Sequence, residues 1–331
     1  MLQGRSVSLP YDRPQQIVER MIANVEKAII GKRDCIEKAV IALLCGGHIL
    51  LEDVPGVGKT KLVRALAQTV GASFKRIQCT PDLLPSDVTG VSIFNQRSGE
   101  FEFRSGPVMA NMVLADEMNR ASPKTQSALL EAMEERQVTV DGETYRLPDP
   151  FMLLATQNPI EHEATFPLPE AQLDRFLLRL RLGYPEPAHE VEMLDRHQAQ
   201  KPHEEVKPVL LREEWRQLQQ EAAIVHIDDT LKQYIVRLTS ATRTHPDVYL
   251  GASPRASIAL MRTAQAKAFC SGRVYVVPDD IKSLAVSTMA HRIVLRPDAR
   301  FAGKTAESVV AGLLAAIAVP AAHSAAGGMP R

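Results

Sequence analysis

The chain has 331 residues, and its 39 Lys plus Arg balance 39 Asp plus Glu, so the formal net charge is zero. That balance argues against a dedicated nucleic-acid binder, which carries a basic stripe, and the length predicts two domains. The apolar runs at 39–45 and 309–319 are shorter than the roughly 20 residues a membrane span needs, and no signal-peptide core opens the chain; a cytoplasmic protein without membrane insertion is expected.

Residues 1–14 lack periodicity and are expected to form a loose arm. Helical spacing then begins with Ile17, Met21 and Val25, and a second helix is expected over 33–46. Between them lies the apolar turn Ile29-Ile30-Gly31-Lys32. In nucleotide-binding folds such a turn walls the base, which makes Ile30 and Gly31 candidate contacts. Residues 48–60 follow. Ile49 to Leu51 reads as a short buried strand, Asp53 to Gly58 as a Gly/Pro turn, and Lys59 onward as a helix with Leu62, Val63, Leu66 and Val70 on one face. Strand, glycine loop and helix are the context of a phosphate-binding loop. Its glycines let backbone N–H groups turn towards phosphates, and the helix N-terminus adds partial positive charge. Pro55, Gly56, Val57, Gly58, Lys59, Thr60 and Lys61 are therefore candidate nucleotide contacts, with the Thr60 hydroxyl a candidate Mg²⁺ ligand. The general pattern G-x-x-x-x-G-K-[ST] asks for Gly at position 53, where this chain has Asp53.

Phe74 to Gln78 reads as a second strand, and Thr80 to Asp87 as a capped, Pro-punctuated turn. Alternation over 90–104 around a polar tip predicts a projecting hairpin. Met112 to Ala115 is an apolar strand that ends in Asp116 and Glu117. Placed after a phosphate loop, those carboxylates suit a metal-holding group (Asp116) and a general base for an attacking water (Glu117). Ser122-Pro123 starts a helix, and Asp141-Gly142 turns a second hairpin over 136–146. Phe151 to Ala155 is another buried strand, whose tip carries Asn158, and Leu177 to Leu182 is the last. Strands alternating with helices predict a three-layer α/β sheet over 15–183. After the Pro-rich stretch 183–187 the chain reads helical almost throughout, over 188–199, 212–222, 228–244, 254–270, 278–290 and 303–317. Arg255 sits in the first turn of one of these helices, where it opposes the helix dipole unless an anion meets it. Residues 321–331 are low in complexity and expected to be disordered. The four cysteines, Cys35, Cys45, Cys79 and Cys270, form no C-x-x-C pair and read as buried thiols.

Five stretches in this order resemble the MoxR branch of AAA+ ATPases: Leu51 to Thr60, Thr80 to Gly90, Asp116 to Ala121, Ala155 to Glu161 and Pro169 to Phe176. The resemblance spans roughly residues 10–320, and Asp53 is itself typical of the branch. It implies an AAA+ P-loop three-layer αβα domain with a parallel sheet, followed by an all-α helical lid over 184–320. It implies ATP and Mg²⁺ as cofactors and ATP hydrolysis that remodels or matures a client complex. Asn158 would be the sensor aligning the water, Arg175 an arginine finger reaching the neighbouring subunit's nucleotide, and Arg255 a second sensor. The hairpins would face a ring pore or client, and Gln78 would restrain Glu117. A hexameric ring and a partner with a von Willebrand factor A domain are the expected associations. His162, flanked by Glu161 and Glu163, departs from the family pattern and reads as a solvated loop rather than a metal site. Two other readings share the motifs: a nucleic-acid-translocating AAA+ motor and a magnesium-chelatase-like motor subunit.

Overall fold

The structure, a computed structural model, describes residues 14–158, 165–198 and 206–320. The expected arm before Pro14, the 321–331 tail and His162 with its two neighbouring glutamates lie outside the described residues.

Among the described residues, nine strands occupy the first half: β1 (Ile49–Glu52), β2 (Phe74–Gln78), β3 (Gly90–Asn95), β4 (Glu100–Ser105), β5 (Met112–Asp116), β6 (Gln137–Val140), β7 (Glu143–Arg146), β8 (Met152–Gln157) and β9 (Leu178–Leu180). Five of them form one parallel sheet in the order β2-β5-β8-β1-β9. Side chains alternate across it. Ile49, Leu51, Leu114, Leu154 and Leu178 enter one core, whereas Leu50, Val113, Ala115, Leu153 and Ala155 enter the other. Both faces are covered, which is why these strands read as unbroken apolar runs.

Helices α1 (Pro14–Glu26), α2 (Arg33–Leu44) and α3 (Lys59–Thr69) supply the first core; α4 (Pro85–Thr89) and α5 (Pro123–Glu135) supply the second. Pro123 opens α5 behind Ser122, whose Oγ accepts the Thr125 N–H at 3.3 Å. The three-layer α/β expectation holds. The hairpins β3–β4 and β6–β7 form as expected. Asp141 (φ 52°) and Gly142 (φ 85°) take the two positive-φ positions of the second turn. Stacking of Phe103 on Tyr145, with centroids 3.8 Å apart, ties the hairpins together, while Phe101 stays 73% exposed.

Helix α6 (Glu170–Leu173) precedes β9, and α7 (Pro187–Gln198), α8 (Arg212–Ala223), α9 (Asp229–Thr244), α10 (Pro254–Cys270), α11 (Pro278–Met289), α12 (Pro297–Phe301) and α13 (Ala306–Ala316) follow it. Two details refine the reading of this half as helical almost throughout. A short antiparallel pair, β10 (Val248–Leu250) with β11 (Val294–Leu295), joins segments too brief for a strand period to show. The run expected from 303 begins at Ala306, because the Thr305 Oγ1 accepts the Ser308 N–H at 3.1 Å and caps the helix there. The helical half shares the first core. Trp215, fully buried, donates its Nε1–H to the Leu43 carbonyl at 3.1 Å, and α10 packs on α1 and α2. All four cysteines are buried free thiols, as expected. Among the described residues, no helix is long and apolar enough to cross a membrane.

His48, buried at the entry to β1, joins three elements. Its Nδ1 accepts the Leu153 N–H at 2.9 Å, so Nε2 carries the proton and donates to the Met133 carbonyl at 3.1 Å. Burial, reinforced by the Arg136 charge, pushes its pKa down to about 3. Burial lowers that of His291 as well. In the unfolded chain these rings protonate below roughly pH 6.5. The stability they confer as neutral groups is therefore complete above that pH and is lost as pH falls towards the folded values. The slope is at most about 1.4 kcal/mol per pH unit for each ring. Denaturation midpoints measured at pH 7 and pH 5 are expected to drop clearly at the lower pH; equal midpoints would contradict the buried neutral assignment.

Candidate nucleotide site and a distal arginine cluster

The loop after β1 has the backbone a phosphate cradle needs. Gly56 and Gly58 have φ of 85° and 97°, and a Cβ on Gly56 would meet nothing within 4 Å, so the loop's mouth is open. Lys59 Nζ donates to the Asp53 and Val54 carbonyls at 2.6 and 3.1 Å, which folds its ammonium back over the loop. Asp53 explains its own departure from the general pattern. Its Oδ2 accepts the Leu182 and Gly183 N–H groups at 2.6 and 2.8 Å, and Oδ1 accepts the Val54 N–H at 3.1 Å. A glycine could not tie the loop to the end of the sheet where the chain leaves for the helical half.

The apolar turn before α2 abuts this loop. Ile29 Cδ1 lies 3.5 Å from where a Cβ on Gly58 would sit. Ile30 is half-buried and Gly31 (φ 70°) is covered by the ring of His189 from α7, which fills the space a side chain there would need. Pro55, Val57, Thr60 and Lys61 surround the same opening, all at least partly exposed.

Parallel pairing brings the other candidates to the same sheet end. In register, β5 and β8 place Asp116 beside Thr156, whose Oγ1 donates to Asp116 Oδ1 at 2.6 Å and accepts the Glu117 N–H at 2.7 Å. Asn158 follows at the tip of β8, 8% exposed. Glu117 is held in the left-handed region at φ 57°, strain of about 1–3 kcal/mol for a residue with a side chain. Its carboxylate accepts Gln78 Nε2–H at 2.9 Å and Arg120 Nη1–H at 3.1 Å. The Gln78 contact is the one the resemblance implies. Arg76 was not anticipated. It donates Nε–H and Nη2–H to Asp116 Oδ2 at 2.9 and 2.6 Å. The signal was available, since Arg76 lies two residues from Gln78 and so on the same face of β2.

The donor set fits a nucleoside triphosphate with its divalent cation. Open glycine turns, an ammonium and the α3 N-terminus suit phosphate oxygens, and Thr60 with Asp116 suits a hard, oxygen-seeking Mg²⁺.

Arg175 and Arg255 lie elsewhere. Arg175 precedes β9, close to Leu177, whose N–H donates to the His48 carbonyl at 2.8 Å. It therefore stands where β1 and β9 begin, whereas Lys59 stands beyond the end of β1. At about 3.3 Å per residue, roughly 16 Å of chain separates His48 from Asp53. Arg255, in the first turn of α10, shares a cavity of about 260 Å³ with Arg175, Arg262 and Arg292. Both Arg175 and Arg255 pair with the Glu134 carboxylate at the end of α5. Arg175 Nε lies 3.1 Å from Glu134 Oε2, and Arg255 Nη2 donates to Oε1. That carboxylate is the anion the helix-dipole argument requires near Arg255. Glu134 was not legible in advance, because nothing local marks a helix-end glutamate as the partner of residues 41 and 121 positions away.

A parallel three-layer sheet with a phosphate loop, a carboxylate pair at the same sheet end one strand removed and a helical lid define the class of AAA ATPases. The model of the ATPase family associated with various cellular activities (AAA) matches residues 48–178, and that of the AAA lid domain matches residues 240–313. The chain is 43% identical to the chaperone MoxR1 of Mycobacterium tuberculosis, covering 92% of this chain and 82% of that protein. It is 55% identical to the Bacillus subtilis protein YeaC, over 93% and 97% of the two chains. A crystal structure from Cytophaga hutchinsonii superposes with a TM-score of 0.87 at 41% identity, covering 93% of this chain and 96% of that one. The chain belongs to the MoxR family of AAA+ ATPases.

Proposed function

We propose that this protein hydrolyses ATP as a ring of identical subunits, with sites built between neighbours, and uses the cycle to remodel or mature a client complex. The observation that carries this reading is the position of Arg175 and Arg255 at the sheet end opposite Lys59. Fixed there by β9 and α10, they face away from their own phosphate loop and suit the nucleotide of an adjacent copy. Within one subunit, Lys59 and the loop N–H groups bind the phosphates. Thr60 and Asp116 would hold Mg²⁺, which would supply charge neutralisation at the phosphates. Arg76 now occupies part of the Asp116 carboxylate. Glu117 takes the proton of the attacking water, and Asn158 orients that water. In the resting arrangement Gln78 and Arg120 hold the Glu117 carboxylate, so hydrolysis waits on its release. Ile30 and Gly31 wall the base. The hexamer and the von Willebrand factor A domain partner follow from the family resemblance, the cytoplasmic setting rests on the sequence reading of the apolar runs, and the exposed aromatic hairpins suit contact with partner or client.

The test is ATPase rate against protein concentration, run alongside mass by light scattering with and without ATP. The rate per subunit is expected to rise with concentration as a mass near six subunits appears. A constant rate on a monomer would remove the shared-site mechanism.

A further inference from the structure

The side chain of Arg175 is 32% exposed and paired with Glu134, and the backbone that carries it is gripped from the lid. Arg292, which follows α11, is 6% exposed. Its Nη2–H donates to the Asp174 carbonyl at 3.1 Å and to the Phe176 carbonyl at 2.7 Å, the two residues that flank Arg175. Its Nε lies 3.1 Å from Asp174 Oδ1, off the hydrogen-bond line, which makes this contact an ion pair. Its Nη1–H donates to the Thr288 carbonyl at 2.8 Å and anchors the guanidinium in the lid. His291 adds a second grip. Buried and neutral, it donates Nε2–H to the Phe176 carbonyl at 3.0 Å.

The other oxygen of Asp174 is taken as well. Ser253 Oγ donates to Asp174 Oδ2 at 2.8 Å, and the same Oγ accepts the Arg255 N–H at 3.1 Å as the cap of α10. Asp174 thus connects, through single hydrogen bonds or ion pairs, the peptide before Arg175, the helix start that carries Arg255, and Arg292. Burying such an ion pair is a poor way to gain stability, because desolvation offsets most of the attraction. Here it fixes one backbone segment of the α/β domain to two separate lid elements.

We propose that Asp174 and Arg292 are positioning residues that lock the arginine pair to the lid, so that lid movement sets where Arg175 and Arg255 meet the neighbouring subunit's nucleotide. The inference rests on the reading of Arg175 as a group donated between subunits. Neither residue touches the reacting atoms. A nucleotide bound against the lid of one subunit would then be felt, through this lock, at the site completed by that subunit's arginines. A shift of about 1 Å in such a group costs on the order of 10²-fold in rate.

The test uses the full chain with Arg292→Lys, which keeps the charge but loses the fork that joins the two carbonyls held by Nη2 to the Thr288 carbonyl held by Nη1, and Asp174→Asn, which keeps the shape but loses the charge. Each is expected to lower kcat by about 10-fold or more by misplacing the arginine, with the affinity of its own phosphate loop for ATP and the ring mass unchanged. The deciding readout is subunit mixing. Added to Glu117→Gln subunits, whose own sites are inactive but whose arginines are intact, either variant is expected to regain turnover at junctions where its Glu117 faces intact arginines. A purely structural defect in the variant's own site would not be rescued. Should Arg292→Lys fail to fold, Asp174→Asn carries the same comparison at a partly exposed position. Wild-type kcat in both variants beside an inactive Arg175→Ala, or reduced kcat without rescue on mixing, would overturn the lock. Wild-type turnover in Arg175→Ala would instead overturn the shared-site reading beneath it.

Discussion

Glu117→Gln is expected to bind ATP as tightly as the unaltered chain and to hydrolyse it about 10²–10⁴-fold more slowly, the usual contribution of a positioned general base. The geometry makes the two effects separable. Glu117 takes no part in the proposed phosphate loop, and the carboxylate proposed for the metal is Asp116, held by Arg76 and the Thr156 hydroxyl. The amide keeps the size of the carboxylate, so the left-handed backbone at residue 117 and the Thr156 bond to its N–H are retained. What is lost is the ability to accept a proton. Single-turnover hydrolysis together with fluorescent-nucleotide binding checks both halves. Turnover within a few-fold of the original would show that another group activates water. If the loss is as large as expected, the variant becomes an ATP-locked trap for recovering the partner and client.

Arg175→Ala is expected to leave ATP affinity unchanged and to reduce turnover by about 10³–10⁵-fold, the range known for arginine fingers in phosphoryl transfer. No direct effect on the variant's own phosphate loop is expected, since Arg175 sits at the start of β9 and Lys59 beyond the far end of β1. Arg175→Ala subunits mixed with Glu117→Gln subunits are expected to recover hydrolysis. Intact junctions form where the Arg175→Ala subunit supplies Glu117 and its Glu117→Gln neighbour supplies Arg175. Full activity of Arg175→Ala by itself would remove the role. No recovery on mixing, with both variants forming rings, would place Arg175 in the service of its own subunit.

The two candidate regions differed in how far they could be read from the chain. The phosphate loop and the carboxylate pair are short, contiguous and tied to a strand end. Their chemistry shows as residue type at fixed spacing, and the short apolar runs that flank them place them on a sheet. The Asp141-Gly142 turn was legible for the same local reason. The contacts that hold these groups were not. Arg76 meets Asp116 across 40 residues, Glu134 meets Arg175 and Arg255, and Arg292 reaches Asp174 from 118 residues away. Spacing could place Arg76 on the same face of β2 as Gln78, but it does not pair any of these residues with a partner so distant in the chain.

By itself, the sequence determined the α/β layer with its helical successor, the family, and the candidate residues from Lys59 to Arg255. Local propensity, strand or helix periodicity and contiguous motifs suffice for those. Only the tertiary structure decided that Lys59, Asp116, Glu117 and Asn158 share one end of the sheet while Arg175 and Arg255 share a carboxylate at the other. Strand order and parallel register decide which ends coincide, and those are set by how non-local faces bury one another, a quantity no window of the chain contains.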